Sequence, residues 1–166
     1  MWLGILLFVI SYRLMKIIKS NLHSELPSAD VPDDWLWACL KAVEDRYQCI
    51  FDITFTVVDL IEMSELNGQY RGKYQPTNVL SFYYDTNNAV IVGEVFFCPH
   101  IIQQESISDG IALKDHYTHL IFHSLLHILG YTHQDDSNRF LMENEEVFLL
   151  KLFGIQNPYE KFIESN

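Results

Sequence analysis

The chain has 166 residues, 49% hydrophobic and 20% charged, with a net charge of -11 at neutral pH. That length suits one domain burying roughly two thirds of its unfolded surface, and the composition excludes disorder and a coiled coil. The acidic balance argues against a broad phosphate-binding surface, so any nucleic-acid contact must rest on a bound cation or a few basic side chains.

Residues 2–10 form a continuous apolar run. A spanning helix needs roughly 20 apolar residues, and a signal peptide needs a basic leader and a small-residue cleavage site that this run lacks. The expectation is a dispensable extension over residues 1–14, with Met15 as the start of a single domain, 15–166. A loose membrane anchor is the alternative, and no stable membrane association is expected.

Residues 16–22 read as a first strand. Asp30 as a cap, Pro32 in a first turn and the early acids Asp33 and Asp34 then predict a helix. Its apolar positions Leu36, Cys39, Leu40, Val43 and Tyr47 recur at helical spacing. Phe51, Ile53, Phe55 and Val57 alternate with Asp52, Thr54 and Thr56, the pattern of a half-buried strand. A short helix is expected over residues 62–70, stopping near Gly72. Beyond Pro76, "NVLSFYY" and "AVIVGEVFF" read as two strands joined by "DTNN", and Pro99 ends the second. Long helices are expected over residues 114–129 and 138–153. Strands clustered between helices predict an α+β domain with a small mixed β-sheet flanked by helices.

Cys39, Cys49 and Cys98 form no CxxC pair and are odd in number. That fits reduced thiols in a cytoplasm and leaves histidine as the credible soft-metal ligand. "HSLLHILGYTH" supplies three. His123 and His127 stand one helical turn apart, so both imidazoles leave one face. Gly130 can adopt the left-handed conformation that ends a helix and brings His133 back towards the pair. Three such ligands make a site for one Zn2+ ion with a fourth position open. The bland alternative, histidines merely lining a surface, suits an isolated pair better than a triplet with a glycine in register. His119 also lies one turn from His123, but it is roughly 12 Å along the axis from His127, too far to share an ion with it. It is expected to be a neighbour. His23, His100 and His116 are expected at the surface.

In H-E-x-x-H proteases a glutamate follows the first histidine and takes the proton from the attacking water. Here Ser124 follows, a poor base, so the site suits an already anionic substrate such as a phosphodiester. A cation should then assist the metal. Arg71, in "LNGQYRGKYQPTNVLSF", is the candidate, since a guanidinium grips phosphate oxygens in two places and keeps its charge. A solvated basic loop is the alternative for Arg71 and Lys73.

Taken together, these stretches resemble the YbeY family of bacterial endoribonucleases and rRNA maturation factors. The family pattern is similar to H-G-x-L-H-L-x-G-Y-D-H after L-N-x-x-Y-R-x-K-x-x-P-T-[DN]-V-L-S-F. The chain matches it at Leu66-Asn67, Tyr70-Arg71, Lys73, Pro76 to Phe82, His123, Leu126-His127, Gly130-Tyr131 and His133. The likeness runs over residues 15–159, with Ser124, Thr132 and Glu94 in place of a glycine and two aspartates. The resemblance implies a small α+β domain with a zincin-like metal-binding helix. It implies a zinc-dependent, single-strand-preferring endoribonuclease of the bacterial cytoplasm, acting in 3′-end maturation of small-subunit (16S) rRNA and in ribosome quality control. His123, His127 and His133 carry over as ligands and Arg71 as the essential cation. The implied partners are single-stranded RNA, an rRNA precursor, and the ribosome or its associated proteins; no DNA is expected.

Two other readings remain. A metzincin-like metalloprotease shares the histidine spacing. A non-catalytic ribosome-assembly factor with structural zinc would need a fourth protein ligand, for example Asp135, Asp136 or a cysteine.

Overall fold

A computed structural model describes residues 15–19, 32–87 and 90–160. The apolar run over residues 2–10, the proposed cap Asp30, His23 and residue 88 lie outside these residues; residues 85–87, expected in the "DTNN" turn, instead continue the strand before it and pair with residues 90–92. In chain order the described elements are β1 (Met15–Lys19), α1 (Asp33–Tyr47), β2 (Ile50–Val57), α2 (Leu60–Arg71), β3 (Val79–Asn87), β4 (Val90–Phe97), α3 (Pro99–Asp109), α4 (Leu113–Ile128) and α5 (Asp136–Leu152).

The four strands form one sheet in the order β1-β2-β4-β3. β1, β2 and β4 run parallel, and β3 closes the edge antiparallel to β4. This is the mixed α+β architecture expected of strands clustered between helices.

Strand alternation divides the apolar side chains between two faces. Phe51, Ile53, Phe55, Val79, Val95 and Phe97 join the main core with α1, α4 and α5. Leu80, Phe82, Phe96 and Cys98 point the other way, into a smaller cluster with Met63 and Leu66 of α2. Thr56, on the polar side of the expected half-buried strand, is itself buried, and its hydroxyl donates to Glu94 Oε1 of the neighbouring strand β4 over 2.9 Å.

α4 is the central helix. Ten of its side chains are buried, from His116 to Ile128. The stripe left partly open carries His119, His123 and His127, each one turn from the next. The hydrophobic effect thus fixes the helix and turns its histidines outward.

Two expectations need correction. Pro32 is the cap residue of α1, which begins at Asp33, and does not lie in the first turn. α3 was not anticipated at all. Pro99 does end β4, but it also occupies the first turn of a new helix, where its fixed φ and missing N–H cost nothing. α3 buries only Ile102 and Ser106, so no apolar stripe announced it.

Candidate metal centre and cleft

α4 ends in a turn that determines where the third histidine falls. Gly130 has φ +97°, open only to glycine without strain. Its N–H donates to the His127 carbonyl over 3.0 Å, and the Tyr131 N–H donates to the Leu126 carbonyl over 3.0 Å. This paired closure of a helix C-terminus reverses the chain. His133 consequently returns to the exposed side of His123 and His127.

The three rings converge through one atom each. His127 Nε2 lies 3.1 Å from His123 Nε2 and 3.0 Å from His133 Nε2. One ligating atom from each ring falls within 4.8 Å of the others. A tetrahedral ion with Zn–N bonds of about 2.0–2.1 Å needs nitrogens about 3.3–3.4 Å apart, within a few tenths of an ångström of both distances from His127.

The far sides of two rings say which nitrogens carry protons. His123 Nδ1 lies 2.7 Å from Glu146 Oε1, and His127 Nδ1 lies 2.9 Å from the Tyr131 carbonyl oxygen. Each partner is an acceptor, so each Nδ1 is the donor. The Nε2 lone pairs of His123 and His127 are left facing one another and His133. Neutral imidazoles with their lone pairs crowded together repel, and a cation among them removes the repulsion. These residues fit a metal of the kind that takes imidazole ligands.

The electrostatics point the same way. Burial, and then the neighbouring His123, pull the His127 pKa down from 6.5 to about 4, favouring the neutral ligating form. His133 is also shifted down, by burial and by His123. Glu146 is 1% exposed. Burial alone would push its carboxyl up, but hydrogen bonds from His119 and His123 outweigh this and hold it at about 2.

Glu146 was missed in the sequence, although a signal exists. It falls on the buried stripe of α5 with Met142, Leu149 and Leu150. A carboxylate on an apolar stripe must have a partner, and here it has three. Oε1 takes His123, while Oε2 takes His119 Nε2 at 3.0 Å and the Tyr159 hydroxyl. His119 accordingly directs its Nε2 at Glu146 and Tyr159 and stands outside the converging group.

Arg71, the last residue of α2, lines an open cleft of about 280 Å³ together with His123, His127 and His133. Asn78, Ser81, His116 and Tyr159 also face it. α2 is capped at its start by Asp59, whose carboxylate accepts the Glu62 N–H over 2.7 Å, and stops at Gly72, φ +71°. Among the described residues Arg71 takes no carboxylate partner, so its charge is free for an anion.

His116 corrects another expectation. It is 9% exposed, not on the surface, and its Nε2 lies 2.8 Å from Glu105 Oε2. Glu105 belongs to α3, the unanticipated helix, and also accepts from Asn78 Nδ2 over 3.0 Å. His100 is exposed as expected.

Ser124 is fully buried and absent from the cleft lining. The position is therefore not merely a weak base; it faces the core. Glu94 lies on the sheet, accepting from Thr56 and from the Tyr84 hydroxyl over 2.8 Å, away from the cleft. Asp135 spends its carboxylate capping α5, taking the Asn138 N–H over 2.9 Å. The three cysteines are free thiols, with Cys39 and Cys98 buried.

The fold and this cluster define an α+β domain with a three-histidine site, fit for a transition metal, at the floor of an open cleft. The family profile described as Endoribonuclease YbeY matches residues 19–154. A Francisella tularensis subsp. novicida protein named Endoribonuclease YbeY is 34% identical over 153 residues, covering 87% of this chain and 91% of its own. An Alteromonas mediterranea protein of the same name is 36% identical, covering 82% and 89%. The solution structure of a Thermotoga maritima protein shares the fold, with TM-score 0.58 and 23% identity over 82% of this chain and 87% of that one. The chain belongs to the YbeY endoribonuclease family. No helix among the described residues is long and apolar enough to cross a membrane.

Proposed function

We propose that this chain is a zinc-dependent endoribonuclease preferring single-stranded RNA, acting in small-subunit rRNA 3′-end maturation and ribosome quality control. Family membership supports the RNA substrate and the hydrolytic activity. The metal rests on one observation: three Nε2 atoms converge while the Nδ1 protons of His123 and His127 are committed elsewhere. The cytoplasm and the ribosome as working partner belong to the same proposal, as does residues 15–166 acting as one catalytic unit beside a 1–14 extension.

His123, His127 and His133 would hold the ion. Bound there, zinc supplies Lewis acidity and a lowered pKa for water. Glu146 and the Tyr131 carbonyl hold two rings in the ligating tautomer. Arg71 binds non-bridging phosphate oxygens from the open side and stabilises charge that grows in the transition state.

A protease is disfavoured because residue 124, where the catalytic glutamate would stand, turns into the core. A structural zinc is disfavoured because, among the described residues, the converging group holds three side chains, and Asp135 is engaged as a cap.

Zinc content of single variants tests the ligand set. His123→Ala, His127→Ala and His133→Ala should each lose the ion and cleavage of single-stranded RNA; His119→Ala should keep the ion. Loss of zinc in His119→Ala with retention in His133→Ala would overturn the assignment.

A further inference from the structure

The segment joining α2 to β3 starts and ends at the cleft, with Arg71 at one end and Asn78 at the other. Its middle carries Tyr74, 80% exposed and the most exposed large hydrophobic side chain among the described residues. This ring is nevertheless held in place. A Cβ added to Gly68 would meet Tyr74 Cδ1, Cε1 and Cγ at 2.3, 2.4 and 2.8 Å, so the ring rests on bare helix backbone that only glycine leaves open. Glycine inside a helix is unfavourable, and here it makes room for the aromatic ring.

The segment itself is clamped. Asn67, 4% exposed, donates from Nδ2 to the Gln75 carbonyl over 2.8 Å, and the Gly72 N–H donates to the Gly68 carbonyl over 3.0 Å. Other exposed tyrosines nearby are engaged: Tyr70 leans on Phe82 at 4.6 Å between centroids, and the Tyr83 and Tyr84 hydroxyls bond Thr86 and Glu94. Tyr74 is backed by the helix and otherwise faces solvent. Arg71 and Lys73 precede it in the chain, and neither takes a carboxylate among the described residues.

A single nucleic-acid strand carries anionic phosphates beside flat bases, and this segment sets two cations, Arg71 and Lys73, just before a clamped flat ring. We propose that Tyr74 is a stacking platform for one nucleobase of the single-stranded RNA whose phosphate sits at Arg71, an inference resting on the reading of the cleft as RNA-cleaving. Stacking tolerates any base and does not depend on net charge, which suits a chain carrying -11. It supplies affinity that so few cations cannot.

The test is a short single-stranded RNA carrying 2-aminopurine and phosphorothioate linkages that slow cleavage, titrated with the zinc-loaded protein. Wild type and Tyr74→Phe should quench the base on binding. Tyr74→Ala and Tyr74→Leu should lose the quench and bind roughly 5- to 150-fold more weakly, the scale of one base–aromatic stack. With unmodified RNA their KM should rise by a similar factor at unchanged kcat. Wild-type affinity in Tyr74→Leu would overturn the platform and leave the ring as a contact for a protein partner. If wild type neither binds nor cuts RNA, the reading of the cleft falls instead.

Discussion

Glu146 of α5 places one carboxylate oxygen 2.7 Å from Nδ1 of His123 on α4, on the side of the ring opposite the converging nitrogens. The two helices are thereby locked where the first imidazole must be aimed. Such outer partners are worth roughly 10- to 100-fold in metal affinity. Glu146→Gln should lower zinc affinity by that factor while leaving the helical circular dichroism unchanged, measured by competition with a chromophoric chelator. Unaltered affinity would show that packing alone orients His123.

The depressed histidines give metal-free protein a defined response to acid. Folded His127 takes up its proton at about 4, against 6.5 for the ordinary group. Between those values the unfolded chain binds more protons, so stability is fully present above 6.5 and falls as pH drops towards 4. His133, also shifted down, acts with the same sign. Glu146, held at about 2, contributes a further loss only below its ordinary 4.5. Urea midpoints of the chelator-treated protein should therefore fall between pH 7 and pH 5, and the fall should be smaller in His127→Gln. An equal slope in that variant would contradict the assignment.

Ser124 has a buried hydroxyl with no hydrogen-bond partner among the described residues. Ser124→Ala removes the unpaired group and improves helix propensity, a gain of about 1 kcal/mol. The midpoint of thermal unfolding should rise by about 2–4 °C with zinc content and cleavage unchanged. Lost zinc or lost cleavage would place Ser124 at the site after all.

The sequence showed some of this more clearly than the rest. Strong periodicity located α4, α5, β2 and β4 to within a residue or two, because burial of one face is what makes those segments regular, whereas β3 runs on through Asn87, past its apolar pattern and into "DTNN". The histidine spacing was legible for a related reason: one helical turn and one glycine turn are local geometry. Glu146 was not legible in the same way, because its histidine partners lie 23 and 27 residues upstream and meet it only when α5 packs on α4. α3 carries too little apolar surface to declare itself. With α3 unseen, nothing indicated that His116 would be buried against Glu105. Arg71 was singled out by chemistry and resemblance; that it faces the histidines across one cleft is a property of the folded chain.

The central claim is that a metal held by three histidines and a cation held by α2 act together on an RNA phosphate. Cleavage of a single-stranded rRNA precursor by wild type and Arg71→Ala, at matched zinc content and matched unfolding temperature, tests it most directly. Arg71 is exposed and belongs to none of the converging ligands, so its loss should spare both zinc and fold. The account predicts cleavage lower by roughly a hundredfold or more in Arg71→Ala, with only partial recovery in Arg71→Lys, whose ammonium lacks the two-pronged grip. Wild-type cleavage by Arg71→Ala would contradict it and reduce that arginine to a solvated residue at the end of a helix.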